Sequence, residues 1–341
     1  MTKNCLIIGG EIAALRAATD LASLEVPVTL INPSKELGEI TRMFQRGVSD
    51  FAYSSDLLTF YLKKLESNPN VVILNNARII KVKKHNSPFE VEIEHNGVTE
   101  SFIANAIIFA SGFEIYNAEL LEEYGYGILE GVLTIFDLEK AFHKEKIPIN
   151  NLTERVVFAL CVGSRIIRDR ANPDCSTYCC SYSINQALHI KRDYPNVEVV
   201  VMYMDIRTVA SQEYLYNEAR KSGVLFIRGR PSAIERSRDK LITMYEDTLS
   251  EDQDLLPADI IVLAVGGVPV LGNDEIARNF DVQLTSSGFV KITEKPVFTS
   301  TPGIFGCGSA CDGIKNIQQS LSEGGAAAIA AFQFLMEYKE I

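Results

Sequence analysis

Short apolar runs punctuate the chain, each closing on glycine or a small polar residue, and stretches of small and apolar residues at helical spacing lie between them. The first run, Cys5-Leu6-Ile7-Ile8, ends in Gly9-Gly10. It leads into Ile12-Ala13-Ala14-Leu15-Arg16-Ala17-Ala18-Thr19-Asp20-Leu21-Ala22, so the pattern predicts strand, tight turn and helix. Val28-Thr29-Leu30-Ile31 reads as a second buried strand, completing a βαβ unit of the kind a parallel dinucleotide sheet uses. Phe89 to Ile93 and Phe102 to Phe109 alternate across Asn96-Gly97, a strong hairpin signal, and the second arm runs into Ala110-Ser111-Gly112.

The pattern then repeats. Arg155 to Leu160 predicts a strand, Ser181 to Arg192 a helix, Val197 to Met204 a strand, and Asp259 to Val265 a last strand entering Gly266-Gly267. Gly303-Ile304-Phe305-Gly306-Cys307-Gly308 and the Ala-rich helix expected over Leu321 to Phe334 return the chain to the first unit. The fold class is therefore α/β, with two nested dinucleotide-binding, Rossmann-like domains. The expected domains are 1-114 with 288-341, and 115-287. Tyr214-Leu215-Tyr216 falls on a predicted helix as core or subunit interface, and the acidic Glu246 to Asp254 stretch reads as a solvated loop.

At 341 residues and 47% apolar composition the chain can build both cores. A net charge of -11 repels phosphate backbones, which argues against nucleic acid as a partner. The apolar stretch Cys5 to Leu24 is interrupted by Glu11, Arg16 and Asp20, so no membrane span is expected, and a cytoplasmic protein is. Seven cysteines in such a setting point to buried thiols, metal ligation or redox chemistry rather than to a disulfide framework. The four histidines, His85, His95, His143 and His189, lack ligand spacing and are expected at the surface.

The turn Gly9-Gly10-Glu11-Ile12-Ala13-Ala14 stands where a dinucleotide unit sets backbone N-H groups and a helix dipole against a pyrophosphate. Glu11 replaces a glycine of the usual fingerprint, and its carboxylate has to turn away from the phosphates. On that ground Glu11→Gly is expected to bind the nucleotide at least as well as the wild type. Asn32 occupies the place of the ribose-binding acid and can still hydrogen-bond a hydroxyl. Alone, the turn is equally compatible with a packing turn that binds nothing.

Cys161, Cys175, Cys179 and Cys180 form a C-x13-C-x3-C-C pattern. A cubane cluster offers a separate iron to each thiolate, so adjacent Cys179 and Cys180 can both ligate it from a helix N-terminus. Zinc would draw both to one ion and more often takes ligand pairs spaced by two to four residues, and simple buried thiols are the third reading. Cys161 follows the strand after which a second dinucleotide unit needs its glycine-rich turn. Arg165, Arg168 and Arg170, between the ligands, could offset the cluster's negative charge or be ordinary surface arginines. Cys307 and Cys311 could form a redox pair, but Cys307 falls at an apolar strand end.

The segments Ala110-Ser111-Gly112, Thr301-Pro302-Gly303-Ile304-Phe305-Gly306-Cys307-Gly308 and Glu323-Gly324-Gly325-Ala326-Ala327-Ala328 occur in an order that resembles two-domain flavoproteins of the thioredoxin reductase type. That resemblance implies FAD, with contacts from Gly9, Gly10, Glu11, Ala13, Ala14, Asn32, Ser34, Ala110, Ser111, Gly112, Gly308, Ser309, Lys315, Asn316 and Ile317. Ser309 stands where such proteins carry the aspartate that contacts the flavin ribitol, and Asp312 is displaced.

A more specific resemblance rests on Cys161-Val162-Gly163-Ser164-Arg165, on Cys175 to Ala187, on Asp205-Ile206-Arg207, on Phe226-Ile227-Arg228-Gly229-Arg230-Pro231 and on Gly313-Ile314-Lys315-Asn316-Ile317. Together these blocks resemble the A-type flavoproteins of heterodisulfide reductases. The resemblance implies that the four cysteines bind a [4Fe-4S] cluster near FAD and that Lys315 lies by the flavin as the catalytic residue, stabilising its reduced form. No C-x2-C-x2-C-x3-C run is present, so the chain is most similar to the short A-type proteins of sulfur-oxidiser heterodisulfide reductase-like complexes. The implied partners are the other subunits of such a complex, with a homodimer expected in isolation. The rivals are a self-contained NAD(P)H-disulfide oxidoreductase, which needs a glycine-rich second turn and a C-x-x-C, and a non-catalytic scaffold on a flavin fold.

The second turn, Cys161-Val162-Gly163-Ser164-Arg165, carries one glycine and enters the cysteine loop, so nicotinamide nucleotide and cluster compete for one place. Anaerobic protein mixed with excess NADH should bleach its flavin slowly or not at all while dithionite bleaches it readily. Bleaching by NADH within seconds would revive the oxidoreductase rival.

Overall fold

The structure is a computed structural model that describes residues 3-44, 54-84, 86-168, 170-208 and 212-337. Its helices are α1 (Ile12–Ser23), α2 (Glu39–Met43), α3 (Ser54–Glu66), α4 (Ile135–His143), α5 (Cys179–Asp193), α6 (Glu213–Lys221), α7 (Asn273–Phe280) and α8 (Ile317–Glu337). Packing separates two units, which among the described residues comprise 3-44, 54-114 and 269-337 on one side and 115-268 on the other.

In the first unit five parallel strands lie in the order Ile304–Gly306, Ala106–Phe109, Cys5–Ile8, Val28–Asn32, Val71–Asn75. Strand alternation sorts their side chains. Cys5 and Ile7 join one apolar cluster with α1 and α8, while Leu6 and Ile8 join another with Phe89, Val91 and α7. The second cluster includes an antiparallel three-stranded sheet, Ala77–Lys84, Phe89–His95 and Val98–Ala104. Asn96 and Gly97 both take positive φ, the geometry of the tight hairpin turn their sequence predicts.

The second unit repeats the plan. Its parallel sheet runs Leu225–Arg228, Glu198–Tyr203, Arg155–Val162, Ile260–Val265, Val132–Thr134, beside an antiparallel sheet of Pro231–Ser237, Lys240–Asp247 and Asp252–Ala258. The acidic stretch expected as a loop is thus mostly the facing ends of a hairpin, with Glu246 paired to Gln253 and Asp247 to Asp252. Charged residues fit there because that strand end is largely exposed. Leu215 on α6 is buried, and the Tyr216 ring packs edge-on against Phe226 at 4.8 Å. Of the histidines, His143 is exposed, His95 and His189 are partly buried, and His85 lies outside the described residues.

Helix α8 lies against α1 at Gly324, where an added Cβ would meet the Ala13 carbonyl oxygen at 2.5 Å. At Gly325 the nearest atoms, at 3.3 and 3.4 Å, are the tips of Asp20 and Arg16. Gly324→Ala should therefore cost about 1-3 kcal/mol of stability through overpacking, whereas Gly325→Ala should be neutral or gain up to about 1 kcal/mol from helix propensity. Thermal unfolding of the two variants checks this, and equal shifts in Tm would contradict it.

Candidate functional site

In an open parallel sheet, ligands gather at the carboxyl ends of the strands where the strand order reverses. In the first unit that point lies between Cys5–Ile8 and Ala106–Phe109. Gly9 follows one strand with φ +130°, and a Cβ there would stand 2.0 Å from the Ala110 oxygen that follows the other. Only glycine allows that approach. Ser111, next along, has a buried hydroxyl with no hydrogen-bond partner among the described residues, an orphaned polar group of the kind a bound ligand satisfies.

The remaining expected flavin contacts are spread over strand ends, turns and helix starts of the first unit. Gly10 and Glu11 form the turn, and Ala13 and Ala14 are buried on α1. The Asn32 amide nitrogen donates to the carbonyls of Ser34 and Glu36, each at 3.0 Å, and to Asn75 Oδ1 at 2.9 Å. Asn32 therefore shapes the loop holding Ser34, and its Oδ1 accepts from Ser34 N at 3.3 Å. Gly112 has positive φ beside Glu11. Gly308 and Ser309 form a short 3-10 turn clamped from two sides. Ser309 Oγ accepts from Lys315 N at 3.0 Å, and Glu323 Oε2 accepts from Gly308 N at 2.9 Å. The Lys315 ammonium lies 3.4 Å from Glu323 Oε2 and donates to the carbonyls of Gly308 and Cys311. Burial pushes the Glu323 carboxyl up, and Lys315 and the Gly308 N-H draw it back down. Asn316 caps α8 reciprocally with Gln319, and Ile317 opens that helix against the core.

Glu11 holds a partner that its position in the turn does not foretell. Its carboxylate accepts from Ile40 N at 2.9 Å, Thr41 N at 3.1 Å and Thr41 Oγ1 at 2.7 Å, anchoring α2. Burial raises its pKa against the lowering effect of these bonds.

In the second unit the strand order reverses between Arg155–Val162 and Ile260–Val265, and there the cysteines collect. A register shift between Ala159 and Val162 bulges the first strand, and Cys161 takes a left-handed backbone with φ +63°. A bulge of this kind re-aims a side chain at a strand end. Gly163, at φ +72°, lies under the Tyr116 ring, which an added Cβ would meet at 2.1 Å. The loop that follows is stapled to the neighbouring strand end. Asn172 Nδ2 donates to Gly267 O at 3.1 Å, Ser176 Oγ accepts from Gly267 N at 3.0 Å, and the Tyr178 hydroxyl donates to Val265 O at 2.8 Å.

Cys179 and Cys180 are the first residues of α5, which has no side-chain cap, so its first-turn N-H groups favour negative charge there. Cys175 Sγ accepts from Thr177 N at 3.3 Å, and Cys180 Sγ lies 3.9 Å from the Asp205 carbonyl oxygen. The four thiols are electrostatic neighbours: each of Cys179 and Cys180 feels Cys161 and Cys175. Burial pushes the Cys161 thiol up while Arg165 holds it back, drives Cys179 well above the ordinary range, and pushes Cys180 up to about 12. Such thiols are poor nucleophiles in the absence of a metal that stabilises the thiolate. Among the described residues no group of three or more His, Cys, Asp or Glu is arranged to hold a metal ion.

The loop arginines divide. Arg165 pairs with Asp205, which also takes Arg207 at 3.2 Å, whereas Arg168 pairs with Glu123 at 2.7 Å and Arg170 is exposed. Cys5, Cys307 and Cys311 are free and buried in the first unit, with burial pushing all three thiols up.

No family model matches the chain. It is 31% identical over 274 residues to the A component of the ferredoxin:CoB-CoM heterodisulfide reductase of Methanosarcina acetivorans, covering 69% of this chain and 34% of that one. It is 27% identical to the iron-sulfur A component of the CoB-CoM heterodisulfide reductase of Methanocaldococcus jannaschii, over 96% of this chain and 64% of that one. The chain thus spans between about a third and two thirds of the length of these curated relatives. Among solved structures, thioredoxin reductase of Lactococcus lactis superposes with a TM-score of 0.68 at 21% identity, covering 98% of this chain and all of that one. A NAD-dependent persulfide reductase from A. fulgidus gives 0.61 at 17% identity, over 99% of this chain and 60% of that one.

The α2 anchor changes the expectation for Glu11→Gly. Losing a buried carboxylate that accepts three hydrogen bonds should cost about 1-3 kcal/mol and weaken flavin retention instead of preserving it. Calorimetry together with the flavin content of the purified variant checks both, and an unchanged Tm with full flavin content would contradict the anchoring role.

Proposed function

This chain is a homologue of the A components of heterodisulfide reductases and has the fold of the thioredoxin reductases, and from that premise we propose that it is an FAD and [4Fe-4S] electron-transfer subunit of a heterodisulfide reductase-like complex. The proposed setting is cytoplasmic sulfur oxidation or disulfide redox chemistry, with the disulfide or sulfur chemistry on partner subunits and a homodimer when the chain is isolated. Among the described residues no helix is long and apolar enough to cross a membrane.

The observation that carries this reading is the bulged, left-handed Cys161 at the strand-order reversal of the second sheet, with Cys175, Cys179 and Cys180 as its electrostatic neighbours. The donor set fits the group. Four soft sulfurs suit an iron-sulfur cluster, the α5 N-terminus and Arg165 favour thiolate charge, and a cubane gives each sulfur its own iron, so the ligands need not converge on one point. In the first unit the Gly9 approach and the orphaned Ser111 hydroxyl fit a dinucleotide lying along the strand ends. When bound, FAD would exchange paired for single electrons and the cluster would pass them singly.

The chain's own residues would do the rest. Gly9 closes the turn on the Ala110 carbonyl and Gly10 closes it on Asn32, which leaves the N-H groups of the turn to meet a pyrophosphate if one binds, and Asn32 holds the Ser34 loop in place. Lys315, fixed by Glu323 and by the Gly308 and Cys311 carbonyls, keeps a positive charge beside the proposed flavin position and favours its reduced form. A nicotinamide nucleotide would need the ground that the Cys161 to Cys180 loop fills, which weighs against the self-contained oxidoreductase.

Purified anaerobically, the chain should yield about one FAD and about four irons. Ala at Cys161, Cys175, Cys179 or Cys180 should remove most of the iron, and Ala at Cys5, Cys307 or Cys311 should leave it. Zinc in place of iron, or equal iron loss from both groups of variants, would overturn the assignment.

A further inference from the structure

The acid that a dinucleotide unit carries after its second strand has a counterpart in the second unit at Asp205, just beyond Glu198–Tyr203. There it does different work. Its backbone carbonyl lies 3.9 Å from Cys180 Sγ, and its carboxylate gathers two guanidinium groups, Arg165 from the loop after Cys161 and Arg207 two residues on. Arg165 also acts on Cys161, whose thiol it holds down, and Arg207 also feels Cys175. Three of the four sulfurs thus neighbour one charged assembly, whose Arg165 and Asp205 lie 40 positions apart in sequence.

We propose that Arg165 and Arg207, aligned by Asp205, are positioning residues that set the reduction potential of the cysteine-bound cluster by offsetting the negative charge it gains on reduction. This rests on the cluster reading above. A one-electron reduction adds one negative charge without making or breaking a bond. A fixed cation beside a ligand sulfur stabilises the reduced state more than the oxidised one. Two arginines around one aspartate leave a net positive charge facing the sulfurs, and the carboxylate fixes both guanidinium planes so that they do not swing into solvent. Arg165 should matter more, since its side chain is 23% exposed against 50% for Arg207, and solvent screens the more exposed charge. Arg168, paired with Glu123, is a charge-matched control on the same loop.

The test is an EPR-monitored redox titration of the anaerobic holoprotein with parallel iron and flavin assays, comparing Arg165→Met, Arg207→Met, their Lys counterparts and Arg168→Met. At a fixed potential, Arg165→Met should lower the ratio of reduced to oxidised cluster about tenfold, a shift of about 59 mV for one electron. Arg207→Met should shift it less, and the Lys variants and Arg168→Met should stay near wild type. Iron lost from the Met variants but retained in the Lys variants would express the same charge requirement and support the proposal. An unchanged potential in Arg165→Met with full iron content, or iron lost equally from Met and Lys variants, would overturn it. Wild-type protein that binds no four-iron cluster would instead remove the reading beneath it.

Discussion

A left-handed backbone at a residue with a Cβ costs about 1-2 kcal/mol, and Cys161 adopts one at the end of the central strand of the second sheet. The surroundings hold it there. The strand bulges just before it, Gly163 passes beneath the Tyr116 ring, and the loop beyond is pinned to Val265 and Gly267 by Asn172, Ser176 and Tyr178. Each of these buried polar groups has found a partner in the neighbouring strand end, so the loop cannot relax without leaving some unsatisfied. The sulfur is thereby aimed into the space at the strand ends, and the other three cysteines follow from the path of the loop into α5.

The two units show one topology serving two chemistries. Both reverse strand order beside a central strand, Cys5–Ile8 in one and Arg155–Val162 in the other, but the first strand passes through a three-residue turn into α1 while the second enters the long cysteine loop before α5. In the first unit the approach is made by Gly9, which lets main chain come close to main chain at Ala110. In the second the same ground is filled by the chain itself, and the ribose-side acid has become the hub of an arginine pair. Fold similarity to a thioredoxin reductase extends over 98% of this chain, both sheets included, so the distinction between the sites comes from side chains and not from architecture.

Much of this was legible in sequence because it is local or periodic. The buried runs at Cys5, Val28, Arg155 and Asp259, the Asn96-Gly97 turn and the start of α5 near the paired cysteines all carry short-range signals. The acidic Glu246 to Asp254 stretch misled, since charge on an exposed hairpin end looks like charge in a loop. The partners of Glu11, about thirty residues away on α2, and of Arg165 on Asp205 have no periodic signature, because tertiary pairing alone brings them together. Resemblance points to Lys315, but its clamp on the Gly308 turn through Glu323 emerges only from packing.

The proposed cluster, bound by these four cysteines, lies with the cysteine loop where a nucleotide would otherwise sit on the second sheet. Anomalous diffraction from anaerobically grown crystals, recorded on both sides of the iron edge, tests it most directly. The account predicts a single compact group of iron scatterers bonded to Cys161, Cys175, Cys179 and Cys180, with flavin density confined to the first unit. A lone zinc ion on those sulfurs, or metal-free cysteines beside a nucleotide seated at the strand ends of the second sheet, would contradict it.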